Sequence, residues 1–313
     1  MTDLFDPPGG AAAEIPRDGW GRPKIVPPEG GKLVAYTRCT TFVRALEDTY
    51  SLTKWKMRQV ALGLASRPDL LLSASAHRDD KHELDRIAEK AMEAAGSSAA
   101  ATSGTALHTL TELHDQGRPI GVLPDKARAD LDAYIAATAH LRYAAIEQFR
   151  VCDALRIGGT ADRVIDLGGR YRIGDVKTGS IEHAIGKISM QLAVYAHSVA
   201  YTSDGIRHPD DKPMDLDTGL IVHLPSGEGR CTLVEVDIAA GWEAVQLAAQ
   251  VRAWRARKGL ARPVAADAAQ VDQFDDLGKL RAWYLDLDAQ GRATPELLAA
   301  CKMRAVELSV EPS

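Results

Sequence analysis

The chain has 313 residues, of which 45% are hydrophobic and 26% are charged, and its formal net charge is −5. This composition is typical of a globular protein with a substantial core, and it excludes a basic coat over the whole surface but not a local basic groove. The first residues have neither the basic start nor the apolar run of a signal peptide, and no apolar stretch is long enough to span a bilayer. We therefore expect a cytoplasmic protein without membrane contact.

The predicted elements divide the chain into four regions. A flexible Pro/Gly-rich arm over 1–31 precedes a helical region over 32–100, a core over 101–260 and a helical extension over 261–313. Predicted helices begin near Thr40 and cover 52–64, 79–95, 104–116, 124–141, 182–201, 242–258, 277–287 and 295–308, with a break at 96–103; predicted strands cover 145–151, 159–167, 170–177, 218–224 and 232–237. This order of elements predicts an α/β or α+β core flanked by helices at both ends.

Two of the predicted strands flank Gly168-Gly169, a pair of residues typical of a tight hairpin loop. With this loop, Asp162 lies directly opposite Asp175, and Lys177 projects from the same face as Asp175. Facing carboxylates repel unless a cation lies between them. An Asp-x-Lys triplet alone is more often a solvated surface pair, but that interpretation predicts no facing aspartate.

The expected cation is a hard divalent ion, Mg²⁺ or Mn²⁺, because both ligands are oxygens. Such an ion can polarise a phosphate and help to generate hydroxide, while Lys177 beside it can orient the water and offset negative charge. The hairpin therefore predicts cleavage of phosphodiester bonds.

Gln191 and Tyr195 lie four residues apart on the predicted helix over 182–201, so they share a face at the edge of its apolar stripe. From there they could reach the metal site and the scissile nucleotide. The alternative is a buried tyrosine with a glutamine on the rim, and it would be preferred if the hairpin were absent.

Further candidate ligands lie outside the hairpin. His108 is in the first turns of a predicted helix, where a lone histidine is more often structural; Glu112, one turn on, could support it. Glu147 on the preceding strand is either a further carboxylate of the site or a solvent-facing residue, and the sequence does not decide between the two.

Basic residues and tryptophans occur together at Lys54–Arg58 and at Arg252–Lys258. Either cluster could follow a phosphate backbone, with Trp55 or Trp254 stacking on a base. We favour solvated helix faces with the tryptophan turned inward for both.

These motifs appear in a fixed order that resembles the PD-(D/E)XK nuclease superfamily and, within it, the RecB-like exonucleases, a group with phage-encoded members. The set consists of Gly104-x-x-x-His108, Asp162, Asp175-x-Lys177 and Gln191-x-x-x-Tyr195. The resemblance implies a restriction-endonuclease-like core, with a mixed central sheet flanked by helices.

The resemblance also implies a role for each matching residue. The implied metal ligands are His108, Asp162, Asp175 and the backbone carbonyl of Val176, Lys177 is the implied catalytic lysine, and Gln191 and Tyr195 are implied to position the DNA strand or the lysine. Some RecB-like members hold an iron–sulfur cluster with one N-terminal and three grouped C-terminal cysteines. Cys39 could match the first, but Cys152, Cys231 and Cys301 are far apart, so we expect no cluster.

The expected function is a Mg²⁺-dependent DNA exonuclease that acts in phage recombination or DNA processing, with a single-strand annealing protein as a possible partner. The alternatives are a structure-specific endonuclease or an RNA-acting member of the group, and a catalytically silent DNA-binding module with the same fold. The sequence leaves the cleavage polarity and the oligomeric state open.

Overall fold

A computed structural model of the chain describes residues 14–97, 99–260 and 267–310. The chain forms two compact units, Met1–Trp254 and Arg255–Ser313. The described strands are β1 Lys24–Ile25, β2 Val34–Ala35, β3 Thr37–Arg38, β4 Tyr143–Cys152, β5 Ile157–Asp166, β6 Tyr171–Lys177, β7 Val199–Tyr201, β8 Arg207–His208, β9 Thr218–His223 and β10 Thr232–Asp237. The described α-helices are α1 Cys39–Val43, α2 Tyr50–Ser66, α3 Pro68–Ala76, α4 Lys81–Ala94, α5 Ala99–Asp115, α6 Asp125–Thr138, α7 Ile185–Ala196, α8 Ile238–Arg255, α9 Leu277–Ala289 and α10 Pro295–Val310.

The first unit is built on a mixed central sheet in the order β10-β9-β6-β5-β4-β7-β8, with β3 paired to β5. β6 runs parallel to β9, and β3 runs parallel to β5, whereas the other pairs are antiparallel. A mixed sheet with helices packed on it is the restriction-endonuclease-like architecture, so the predicted fold class is confirmed.

Helices cover both faces of this sheet, because side chains along β6 and β9 are apolar on both sides. Ile173 and Ile221 belong to the largest hydrophobic cluster, which includes the apolar stripe of α7 and part of α8. Val176 and Val222 belong to a second cluster with Leu107 of α5 and with residues of α6. β9 has the continuous apolar run, Leu220–Val222, that is typical of a strand buried on both faces, whereas β6 also contains Arg172, Asp175 and Lys177.

The N-terminal segment follows an extended course from Glu14. β1 pairs with β2, and Ile15 and Ile25 are buried in a small cluster with Tyr36, Val151 and Tyr201. Residues 1–13 of the predicted arm lie outside the described residues.

Three helix predictions were wrong in part. The helix near Thr40 is short and gives way to a 3-10 turn at Arg44–Leu46. The predicted break at 96–103 largely belongs to α5, which begins at Ala99. The predicted helix over 182–201 ends at Ala196, because Val199–Tyr201 forms β7 and pairs with β4. Helix α3 was not predicted.

The second unit contains α9, α10 and a 3-10 helix at Ala268–Gln273. Its small core includes Val271, Leu280, Leu287, Leu297 and Cys301. Both helices agree with the predicted ones within about two residues. No helix among the described residues is long and apolar enough to cross a membrane.

Candidate metal centre

The hairpin of β5 and β6 has the predicted register. Its pairs run from Asp166–Tyr171 to Arg163–Gly174, so Asp162 and Asp175 occupy the next opposed positions. Gly168 has φ of +85° in the loop and donates its N–H to the Asp166 side chain at 2.7 Å. Because a residue with a Cβ rarely adopts this φ, Gly168 allows the tight connection that fixes the register.

A third carboxylate lies on the other side of Asp162. Ile146 and Gln148 of β4 pair with Arg163 and Ala161, and this places Glu147 opposite Asp162. Glu147 has φ of +51°, in the left-handed region that a residue with a Cβ seldom adopts. Three neighbouring strands thus bring three acidic residues side by side, with Asp162 in the middle.

Helix α5 brings His108 to the same point. Its Nε2 lies 2.9 Å from Asp162 Oδ2 and 3.9 Å from Glu147 Oε1. Gly104, one turn earlier, packs so closely that a Cβ there would lie 2.6 Å from Thr178 Oγ1, just beyond β6. The glycine of the Gly-x-x-x-His motif therefore lets the helix approach the strand end that carries the aspartate and the lysine.

The residues fit a metal ion. One ligand atom from each of His108, Glu147 and Asp162 can be chosen so that all lie within 4.8 Å of one another. Two carboxylates and an imidazole are suitable ligands for a divalent cation. Asp162 is also fixed from below, because the Val176 N–H donates to its Oδ2 at 2.9 Å.

Asp175 lies beside this triad, fully buried and contacted by two polar side chains. Gln191 Nε2 donates to its Oδ1 at 3.1 Å. Lys177 Nζ is 2.5 Å from its Oδ2, but Oδ2 accepts no well-aligned hydrogen bond from the described residues. The Lys177 ammonium offsets part of the desolvation cost of this buried carboxylate, and a bound metal ion would offset it further.

The charges of the site shift the pKa values of its members in opposite directions. Burial and the neighbouring Asp162 raise the pKa of Glu147 to about 7 and that of Asp175 to about 6. Burial alone would raise the pKa of Asp162 as well, but the His108 hydrogen bond holds it below its usual range. Burial would lower the pKa of Lys177, but the charge of Asp175 raises it, so the lysine is an ammonium at neutral pH.

A buried arginine supports the cluster from the opposite side. Arg163 Nε lies 2.6 Å from Asp115 Oδ2 on α5, and its Nη1 lies 3.4 Å from Glu147 Oε1. The guanidinium group also lies 5.6 Å from the ring centroid of Tyr143. Arg163 therefore links α5 to β4 and holds Glu147, because a buried arginine requires such partners.

Tyr195 is buried beneath the site. A Cβ on Gly159 would lie 2.8 Å from its hydroxyl oxygen and 3.2 Å from Cys39 Cβ, so β5 passes close to α7. Burial raises the pKa of Tyr195 well above its usual value. The tyrosine therefore remains a neutral phenol that packs under Gln191 and the strand.

Two adjacent cavities meet at His108. The smaller, of about 350 Å³, is lined by Asp162, Asp175, Lys177 and Gln191. The larger, of about 870 Å³, lies beyond His108 along α5 and the loop after β6. The site is thus a cleft that can admit a substrate rather than a closed core feature.

The sequence-predicted residues come together almost completely. His108, Asp162, Asp175, Lys177, Gln191 and Tyr195 all line the smaller cavity, and so does Val176. For Val176 the structure shows its N–H bonded to Asp162, whereas a metal-ligating role of its carbonyl stays a prediction. Glu147 joins the triad, and its signal was its position on the strand before the hairpin. Glu112 accepts from Gln116 Nε2 at 2.9 Å.

The first basic cluster lies on an exposed face of α2. In the second cluster α8 ends at Arg255, so residues 256–258 lie beyond the helix, and Arg252 is half-buried. The tryptophans are not turned inward, because Trp55 is 36% exposed and Trp254 is 60% exposed. The side chains of Lys54, Lys56 and Arg58 are exposed. Arg252 of the second cluster contacts Thr37 and the ring of Phe42. Within the part of the chain that the structure describes, no ion pair joins either cluster to the candidate metal ligands.

A family model of the PD-(D/E)XK nuclease superfamily matches residues 72–287. The match covers more than half of the chain and includes every motif residue from Gly104 to Tyr195. The chain belongs to the PD-(D/E)XK nuclease superfamily, and the resemblance seen in its motifs is confirmed at this level. A search of the curated proteins finds no match to the chain.

Proposed function

We propose that this protein is a Mg²⁺- or Mn²⁺-dependent DNA exonuclease. His108, Glu147, Asp162 and Asp175 hold the ion together with the Val176 carbonyl, and Lys177 is the catalytic lysine. The observation that carries the proposal is the meeting of a histidine–carboxylate triad and a buried Asp–Lys pair at one cleft, in a chain of this nuclease superfamily.

The chain's own residues divide the work of phosphodiester hydrolysis. When bound here, a divalent ion supplies Lewis acidity toward the phosphate and lowers the pKa of a bound water. Lys177 stays protonated beside Asp175, so it donates hydrogen bonds to the phosphate or the water rather than accepting a proton.

Gln191 and Tyr195 act through their neighbours. Gln191 holds Asp175 by a hydrogen bond to Oδ1, which leaves Oδ2 directed toward Lys177. Tyr195 fills the space below Gly159 and supports the helix that carries Gln191. Both are positioning residues, since groups of this kind restrict the orientation of ligands in metal sites.

The exonuclease assignment and the RecB-like group rest on the order and spacing of the motifs. A cytoplasmic role in phage recombination, with a single-strand annealing protein as partner, belongs to the same proposal and depends on that group assignment.

The test uses end-labelled linear duplex DNA and closed circular DNA, each incubated with Mg²⁺, Mn²⁺ or EDTA. An exonuclease degrades only the linear DNA and only with metal. Cutting of closed circles would instead indicate an endonuclease. Binding of DNA without cleavage under any metal would leave a silent DNA-binding module as the function.

A further inference from the structure

A hydrogen-bonded turn near the N-terminus, Arg17–Arg22, lies beside the cleft; we call it the N-terminal turn. The Asp18 side chain accepts from the Trp20 N–H at 3.0 Å and from the Arg22 N–H at 2.9 Å and Nε at 2.7 Å. Gly21 closes the turn with φ of +72° and donates its N–H to the Asp18 carbonyl at 2.9 Å. The acidic side chain of the turn is therefore occupied by Arg22 and by the backbone.

Two arginines converge on this turn. Arg17 Nη1 donates to the Gly21 carbonyl at 3.0 Å, and Arg38 Nη1 lies 3.5 Å from the position that a Cβ on Gly21 would occupy. Both arginines line the small cavity that also contains Asp162 and Lys177. Two guanidinium groups thus meet at one backbone residue on the wall of the candidate active site.

The two cations lack acidic partners. No carboxylate within residues 14–97, 99–260 and 267–310 forms an ion pair with Arg17 or Arg38, whereas Lys177 is paired with Asp175. Both arginines are exposed, so an incoming phosphate can reach the two guanidinium groups without displacing a carboxylate. The cleft therefore has acidic side chains suited to a metal and, on another wall, two arginines suited to a phosphate.

An aromatic ring is displayed next to these cations. Trp20 is 78% exposed, and its backbone is held by Asp18. The Arg22 guanidinium lies 4.9 Å from its ring centroid. An exposed aromatic face beside phosphate-binding cations is the arrangement that binds unpaired nucleotides, since every base can stack on it.

We propose that the N-terminal turn and Arg38 bind the single-stranded end of the DNA substrate. Arg17 and Arg38 bind one phosphate adjacent to the scissile bond, and Trp20 stacks on an unpaired base. The proposal rests on the proposed nuclease function for its substrate, but its residues lie outside the nuclease motifs. These are strand-binding residues, not metal ligands.

The test measures binding separately from cleavage. Fluorescence anisotropy with a labelled single-stranded oligonucleotide and a blunt duplex, both in EDTA, gives affinities over a range of salt concentrations. The full-length protein is compared with the Arg17→Ala/Arg38→Ala double variant and with Trp20→Ala. Exposed Arg78→Ala and Trp254→Ala are the matched controls, and thermal unfolding verifies that each variant is folded.

We expect the double variant to bind single-stranded DNA about tenfold more weakly or worse, as for lost charge-assisted contacts. For this variant, the slope of log affinity against log salt concentration should become shallower by about 0.7, the value for one phosphate contact on a single strand. Trp20→Ala should weaken single-strand binding about fivefold or more and affect the blunt duplex less, because stacking needs an unpaired base.

Equal affinities of the wild type, the double variant and Trp20→Ala would overturn the proposal, as would a wild type that binds no DNA. A loss of single-strand affinity in Trp254→Ala, without such a loss in Trp20→Ala, would also overturn it. Cleavage by the wild type is assayed in parallel with Mn²⁺. If the wild type cleaves DNA and the variants bind DNA as tightly as the wild type, only the strand-binding role is refuted. If the variants bind DNA more weakly but the wild type does not cleave it, only the nuclease function is refuted.

Discussion

Glu147 lies directly across the β4–β5 ladder from Asp162, and both side chains approach His108. Its backbone has φ of +51°, a conformation that costs free energy for a residue with a Cβ. Arg163 contacts Glu147 from below at 3.4 Å. The strand therefore departs from regular geometry at the residue that completes the candidate metal site.

Substitution of this glutamate tests its role as a ligand. Glu147→Gln keeps the size of the side chain and removes its charge. We expect Mn²⁺ affinity to fall by about tenfold or more, because even the loss of a group that only supports a metal ligand has an effect of this size. Isothermal titration calorimetry measures the affinity. Glu89→Gln, an exposed glutamate on α4, is the matched control and should bind Mn²⁺ like the wild type. Unchanged affinity in Glu147→Gln would exclude it from the site.

The ligand types also predict a preference between metals. An imidazole suits Mn²⁺ better than Mg²⁺, which prefers oxygen ligands only. We expect tighter binding of Mn²⁺ than of Mg²⁺ by the wild type and a smaller difference in His108→Asp, where the nitrogen ligand becomes oxygen. Competition titrations compare the two ions. An equal preference in both proteins would show that His108 does not contact the metal.

The packing of α2 on α4 depends on Gly63. Gly→Ala in a helix normally stabilises by about 1 kcal/mol. Here a Cβ would overlap the Ala91 carbonyl of α4, so we expect Gly63→Ala to lower the free energy of unfolding by about 1–3 kcal/mol, as for overpacking. Gly186→Ala in α7 is the control, since its Cβ would contact nothing within 4 Å. Urea unfolding followed by circular dichroism shows whether each substitution raises or lowers the free energy of unfolding. Stabilisation by Gly63→Ala would contradict this packing.

Acid stability should depend on Asp215. Although burial raises its pKa, hydrogen bonds from Thr218 and Asp217 and the nearby Arg172 lower it to about 2, from an ordinary value of 3.8. A lowered pKa in the folded state stabilises the protein above the ordinary value, and this contribution is lost as the pH falls from about 4 to about 2.

We therefore expect Asp215→Asn to lower the free energy of unfolding at pH 7 by about 2 kcal/mol and the difference from the wild type to shrink below pH 4. Denaturant unfolding across this pH range measures the effect, with exposed Asp132→Asn as the control. A difference that stays constant down to pH 2 would show that the carboxylate charge is not the cause.

The hairpin was predictable because its information is local. Gly168-Gly169 determines the loop, and the loop determines which residues of β5 and β6 face each other. Helical periodicity then placed Gln191 and Tyr195 on one face, because it needs no knowledge of the rest of the fold. The role of His108 came from the resemblance of the motif order to the nuclease superfamily.

Long-range pairing was less predictable. Glu147 became a member of the site only through the register of β4 against β5, and Val199–Tyr201 became a strand because it pairs with β4. Tertiary contacts override local propensity in such segments. The buried Arg163 gave no sequence signal, since charged residues are ordinarily exposed.

The most direct test of the central claim is metal-dependent cleavage by the wild type and Lys177→Ala. Linear duplex DNA is incubated with Mn²⁺, Mg²⁺ or EDTA, and Lys187→Ala, which loses an ion pair with Glu47 on the surface, is the matched control. We predict that the wild type and the control cleave DNA only with metal and that the cleavage rate of Lys177→Ala falls by at least about a hundredfold. Full cleavage by Lys177→Ala, or cleavage in EDTA, would contradict it.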